Sequence, residues 1–165
     1  VIQFQCYQRK HPMIAFVSLS GCCLRRFENK NNVRLHDRAS RTTLHCAAAS
    51  GNSALVRYLL SLLPESEHLQ TVCQRDTKDG QTVLQCAASS GDGESIKTVL
   101  NIYPDDAERL RAVGELDICG RTTLHHAASS GNSDSIKAIL SSLPESQHLD
   151  VSQFVCLQDI MNMLP

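Results

Sequence analysis

The densest collection of reactive side chains is the stretch GRTTLHHAASSGN, residues 120–132, where His125 and His126 adjoin each other and Cys119 lies just upstream. A thiol beside an imidazole is the starting material of nucleophilic catalysis, the histidine taking the proton while the thiolate attacks. Residue order offers two such pairs, Cys119 with His125 and Cys46 with His45. Neither is favourable. Cys119 falls in what reads as an exposed turn, with no neighbour to lower its pKa or exclude water. Cys46 follows His45 directly, and consecutive residues on a helix diverge by about 100°. Asp105 and Asp106 form an acidic pair, but they follow Pro104, where carboxylates favour a helix start. SGDGES lacks the lysine and the spacing of a phosphate-binding loop.

The eight cysteines, at 6, 22, 23, 46, 73, 86, 119 and 156, include no C-x-x-C pair and no short Cys/His ligand set. Zinc and a disulfide framework are therefore not indicated. Reduced thiols and the lack of a convincing secretory signal place the protein in the cytosol or the nucleus. No catalytic residue, metal or cofactor is expected.

What positions these residues follows from composition and repetition. The chain has 165 residues, 42% of them hydrophobic but only 4% aromatic, with no Trp. A core built from Leu, Ile, Val and Ala suits close helix-on-helix packing. The net charge of −1 gives no basic face for nucleic acid or an anionic membrane. MIAFVSLSGCCL is too short to span a bilayer. The chain begins with Val and reads as a fragment or processed piece.

Three segments align without a gap: SRTTLHCAAASGNSALVRYLL from Ser40, GQTVLQCAASSGDGESIKTVL from Gly80 and GRTTLHHAASSGNSDSIKAIL from Gly120. Leu44, Leu84 and Leu124 stand forty residues apart, as do Gly51, Gly91 and Gly131, and Pro64, Pro104 and Pro144. Each unit reads as two helices. Thr42, Thr82 and Thr122 stand where a hydroxyl caps the first. Leu44, Ala47 and Ala48, with their counterparts, form a short-side-chain stripe that lets a neighbouring helix approach. The glycines end that helix in the left-handed conformation. Ile96, Val99, Leu100 and Tyr103, and Ile136, Ile139, Leu140 and Leu143, give a second amphipathic helix, with Lys97 and Lys137 toward solvent. The piece after it, opened by proline and acids, predicts a short extra helical turn and then a polar turn.

With these residues in view, the units resemble the ankyrin repeat, whose pattern is Asp, two variable residues, Gly, then x-Thr-Pro-Leu-His-x-Ala-Ala and Gly after two more. Asp117, Gly120, Thr122, Leu124, His125, Ala127, Ala128 and Gly131 match it. The second unit keeps Gly80, Thr82, Leu84, Ala87, Ala88 and Gly91, with Gln85 for the His and Asp76 standing in for the Asp by a one-residue shift. The first keeps Asp37, Thr42, Leu44, His45, Ala47, Ala48 and Gly51, with Ser40 replacing the Gly. The Pro is absent throughout, replaced by Thr43, Val83 and Thr123. The usual unit is about 33 residues, so the extra length falls after the second helix. HEAT and armadillo repeats are nearer forty residues but lack this helix start.

The resemblance implies an all-α, ankyrin-type solenoid of stacked helix-turn-helix units with hairpin-like turns. It gives repeats over 37–76, 77–116 and 117–149, a degenerate cap or flanking segment over 1–36, and a closing helix or truncated repeat over 150–165. It implies that His45 and His125 tie the turn to the backbone. His126 shares its slot with Cys46 and Cys86, which points to a packing position. The implied function is a non-catalytic scaffold that binds another protein, acting as a monomer, through a concave face of hairpin tips and first helices. Carried onto this sequence, the contact positions are Arg38, Ala39, Arg41, Ala49 and Ser50; Lys78, Asp79, Gln81, Ser89 and Ser90; and Ile118, Cys119, Arg121, Ser129 and Ser130. Arg41 and Arg121, with Gln81 between, make a row suited to gripping a carboxylate.

Overall fold

The computed structural model describes residues 40–144; the expectations for residues 1–36, for Arg38 and Ala39, and for 150–165 lie outside them. Among the described residues eight helices follow in order: α1 (Thr43–Ala49), α2 (Ser53–Ser61), α3 (Glu65–Val72), α4 (Val83–Ser90), α5 (Gly93–Leu100), α6 (Asp106–Gly114), α7 (Thr123–Ser129) and α8 (Ser133–Ser141). The β structure among the described residues is an isolated antiparallel bridge between Arg75 and Thr82.

The starts of α1, α4 and α7 are set by the threonines. Thr42, Thr82 and Thr122 hold extended backbone, and each hydroxyl accepts from the amide three residues on. The reciprocal half is made by His45, Gln85 and His125, whose side chains accept from the threonine amides. Such a cap contributes about 1 kcal/mol. Gly51, Gly91 and Gly131 end these helices at φ of 67°, 81° and 70°, the left-handed backbone the pattern requires.

Packing repeats with the sequence. α1 lies on α4 and α4 on α7, while α2 lies on α5 and α5 on α8. Leu44, Ala47, Ala48, Leu84, Ala87 and Ala88 are buried where the first helices meet. The second helices contribute Val56, Leu59, Ile96, Val99, Leu100 and Ile139, all wholly buried. Each large aliphatic side chain removed from water stabilises the stack by roughly 1.5–3 kcal/mol.

The segment after the second helix is longer than the expected short helical turn. In the first two units it is a complete helix, α3 of eight residues begun at Pro64 and α6 of nine capped by the Asp105 carboxylate. Val72 on α3 and Ala112 and Val113 on α6 are buried. Each of these helices also reaches back to the helix before it. His68 Nε2 donates to the carbonyls of Leu60 (2.9 Å) and Leu63 (3.2 Å). Arg109 Nε donates to the Leu100 carbonyl (3.3 Å) and Nη2 to that of Tyr103 (3.4 Å). The Leu60 and Leu100 carbonyls lie in the last turns of their helices, where they also accept from the amides of Leu63 and Tyr103, so each side chain adds a second donor at a helix end.

Candidate functional site

The hairpins before α4 and α7 are alike. The Asp117 amide donates to the Arg121 carbonyl and the Asp76 amide to that of Gln81, each at 3.0 Å. The second hairpin is one residue longer, so Asp76 takes the aspartate's place by the expected shift. Its Oδ1 accepts from the Asp79 amide at 2.7 Å. Ser40, standing where the other units have Gly80 and Gly120, keeps the same left-handed backbone at φ 53°.

Neighbouring hairpins are laced together. The Ile118 amide donates to the Asp79 carbonyl at 3.1 Å. Arg75 donates to the carbonyls of Gly80 (2.8 Å) and Leu116 (2.7 Å) and pairs with Glu115 at 3.0 Å. His45, wholly buried, also crosses the unit boundary, its Nε2 donating to the carbonyls of Gln74 (3.0 Å) and Gln81 (3.3 Å). Its Nδ1 accepts from the Thr42 amide at 3.3 Å. Both ring nitrogens thus serve the backbone, as the resemblance implied, and burial holds the imidazole pKa below its ordinary value. Gln85 does the same work without titrating: its Oε1 accepts from the Thr82 amide (3.0 Å) and its Nε2 donates to the Glu115 carbonyl (2.7 Å).

The contact positions lie as follows. Ala49, Ser89 and Ser129 are exposed at equivalent places on α1, α4 and α7. Ser50, Ser90 and Ser130 turn their hydroxyls inward, each donating to a carbonyl three residues back at 2.7 Å. Lys78, Ile118 and Cys119 project from the hairpins, with Ile118 71% exposed; Leu116 beside it is 40% exposed. Asp79 and Gln81 are half-buried. Arg41 sits beside Cys86, whose thiol burial pushes up to about 12 while the arginine charge opposes the shift. Arg121 differs from the expectation of a free carboxylate grip. Its Nε (3.0 Å) and Nη2 (2.9 Å) already hold Asp117 Oδ2 of its own hairpin.

Asp117 is the centre of the arrangement that residue order concealed. Its Oδ1 accepts from the amides of Cys119 (2.8 Å) and Arg121 (2.9 Å). Oδ2 accepts from Arg121 and from His126 Nε2 at 3.0 Å. Burial alone would raise this carboxyl; the Arg121 and Cys119 hydrogen bonds outweigh it and hold the pKa below its usual value. On the other side of the ring, His126 Nδ1 lies 2.9 Å from Ser89 Oγ of the preceding unit. His126 is therefore more than the packing residue its slot suggested: it links hairpin, first helix and neighbouring unit. Burial lowers its pKa, with Asp117 pulling the other way.

The opposite edge carries a groove between the starts of α5 and α8, lined by Asp92, Glu94, Lys97, Asn132, Asp134 and Lys137. Its lysines are paired within their own helices, Lys97 with Glu94 (3.4 Å) and Lys137 with Asp134 (3.3 Å). Among the described residues no cluster of three or more His, Cys, Asp or Glu side chains is placed to hold a metal ion, and no helix is long and apolar enough to cross a membrane.

The family described as ankyrin repeats (3 copies) matches residues 12–109 and 67–153. No match was found among curated proteins.

Proposed function

The chain belongs to the ankyrin-repeat family, and on that premise we propose that it is a non-catalytic scaffold whose hairpin tips and first helices dock a partner protein. Ankyrin repeats generally mediate protein–protein interaction. The observation that carries the reading here is the exposed Ile118, with the exposed Leu116 two residues before it and its side chain seated over Gly80 of the neighbouring hairpin. A large apolar side chain projecting from a turn is an anchor in search of a pocket, and Ala49, Ser89 and Ser129 let a partner come close to the backbone. Lys78, Gln81 and the Arg41 side add a polar rim. The Asp117–Arg121 pair stiffens the hairpin that presents Ile118, which lowers the ordering cost of binding.

The proposal is of a monomer, cytosolic or nuclear, engaging one partner on this face. A pull-down compares the native chain with Ile118→Glu and with Lys97→Glu on the opposite edge. Partner recovery should fall at least tenfold for the first, since an unpaired buried charge costs more than about 1.4 kcal/mol, and stay unchanged for the second. Equal recovery with Ile118→Glu and the native chain rejects this face.

A further inference from the structure

We propose that Ser89 is an activated hydroxyl that accepts an acyl group from activated esters and thioesters, with His126 as its general base and Asp117 as the positioning residue. The proposal goes beyond partner binding and does not depend on it. Ser89 Oγ lies 2.9 Å from His126 Nδ1, and His126 Nε2 lies 3.0 Å from Asp117 Oδ2. An ionised carboxylate only accepts hydrogen bonds, so the imidazole proton sits on Nε2. Nδ1 is left with its lone pair toward Ser89 Oγ, whose single proton has two acceptors in reach, this nitrogen and the Gln85 carbonyl. The ring has no freedom to turn: its side chain is 5% exposed and the Asp117 side chain 0%.

The charges facing His126 decide whether it is free to take a proton. Its hairpin contributes Asp117 and Arg121, its own helix His125, and α4, with the sequence VLQCAASS, contributes none. Burial, Arg121 and His125 disfavour the imidazolium, and Asp117 favours it; the balance leaves the ring neutral near pH 7. A neutral imidazole with its lone pair on a hydroxyl is the general base of acyl transfer. Ser89 also reaches the Gln85 carbonyl at 3.0 Å; moving the proton from one acceptor to the other needs rotation about Cβ–Oγ alone.

In the step itself, Ser89 Oγ attacks the carbonyl carbon of the ester while its proton passes to His126 Nδ1. The bond to the leaving group breaks, phenolate or thiolate departs with its electron pair, and the imidazolium returns the proton to solvent. Ser89 lies in the last turn of α4, where the nearby amides are engaged in the helix and its cap. They cannot turn to a tetrahedral oxyanion, so the O-acyl serine persists and the transfer is stoichiometric.

The chain holds its own control. Ser129 is the equivalent residue one unit on, is exposed, and donates to the His125 carbonyl at 2.8 Å as Ser89 does to that of Gln85; what sets Ser89 apart is the His126 Nδ1 at 2.9 Å. The full chain is incubated with p-nitrophenyl acetate at pH 7.5 or so, and acetylation at each serine is followed by peptide mass spectrometry. Ser89 should acquire acetyl about 10²-fold faster than Ser129, the lower range of general-base assistance. The advantage should fade in acid as His126 is protonated. His126→Cys installs the residue type that the other units hold in this slot, as Cys46 and Cys86. It should bring Ser89 down to the Ser129 rate with helical circular dichroism retained. Equal rates at the two serines in the native chain overturn the proposal whatever the variant does, and so does a folded His126→Cys chain that keeps the Ser89 advantage.

Discussion

His45 shows how a single residue couples the fold to pH. Its neutral ring accepts from Thr42 and donates to two carbonyls of the next hairpin, and the protonated ring loses the first of these bonds. Its folded pKa lies below the ordinary 6.5 because of burial. Between the two values the unfolded chain binds more protons than the folded one, so stability rises with pH there and is lost as pH falls. His126 adds in the same direction. His45→Gln, which copies Gln85, should therefore flatten the decline in thermal midpoint between about pH 7 and pH 5, while leaving the neutral-pH midpoint nearly unchanged. A slope equal to that of the native chain contradicts this role.

The elements divide into those the residue pattern declares and those it does not. The first and second helices were legible because burial dictates type at a 3.6-residue period: Leu84, Ala87 and Ala88, then Ile96, Val99 and Leu100. For α3 and α6 the residues predict only a short helical turn. Their apolar signal is weak, with Val72 the buried hydrophobic residue of α3. Their docking depends on polar side chains that seek the carbonyl ends of another helix. Arg109→Ala removes the donors to the Leu100 and Tyr103 carbonyls and should cost about 1.5–3 kcal/mol in urea unfolding, the range for hydrogen bonds from a charged group. A change within 0.3 kcal/mol or so, the tolerance for independent sites, indicates that α6 is held by Ala112 and Val113 alone.

At the scale of the molecule, stability is shared between neighbours. α4 has a partner on each side, α1 and α7, and α5 is likewise set between α2 and α8. In a repeat stack each unit leans on the next, and local opening starts where a neighbour is lost. Among the described helices, native-state hydrogen exchange should therefore be slow in α4 and α5, which are packed on both sides. Uniform protection across the three units points instead to all-or-none unfolding of the stack.

The amino-acid sequence alone determined the repeat, its two main helices, their threonine and glycine boundaries and the family they belong to. Those features rest on local backbone rules and on burial, and both leave a periodic trace in residue type. Only the tertiary structure decided that Ser89, Asp117 and His126 meet, that Arg121 is committed to its own hairpin, and that His68 and Arg109 close helix ends. Each of these is a directional contact between residues in different elements. A hydrogen bond depends on where stacking brings two side chains, and no spacing along the chain encodes that position.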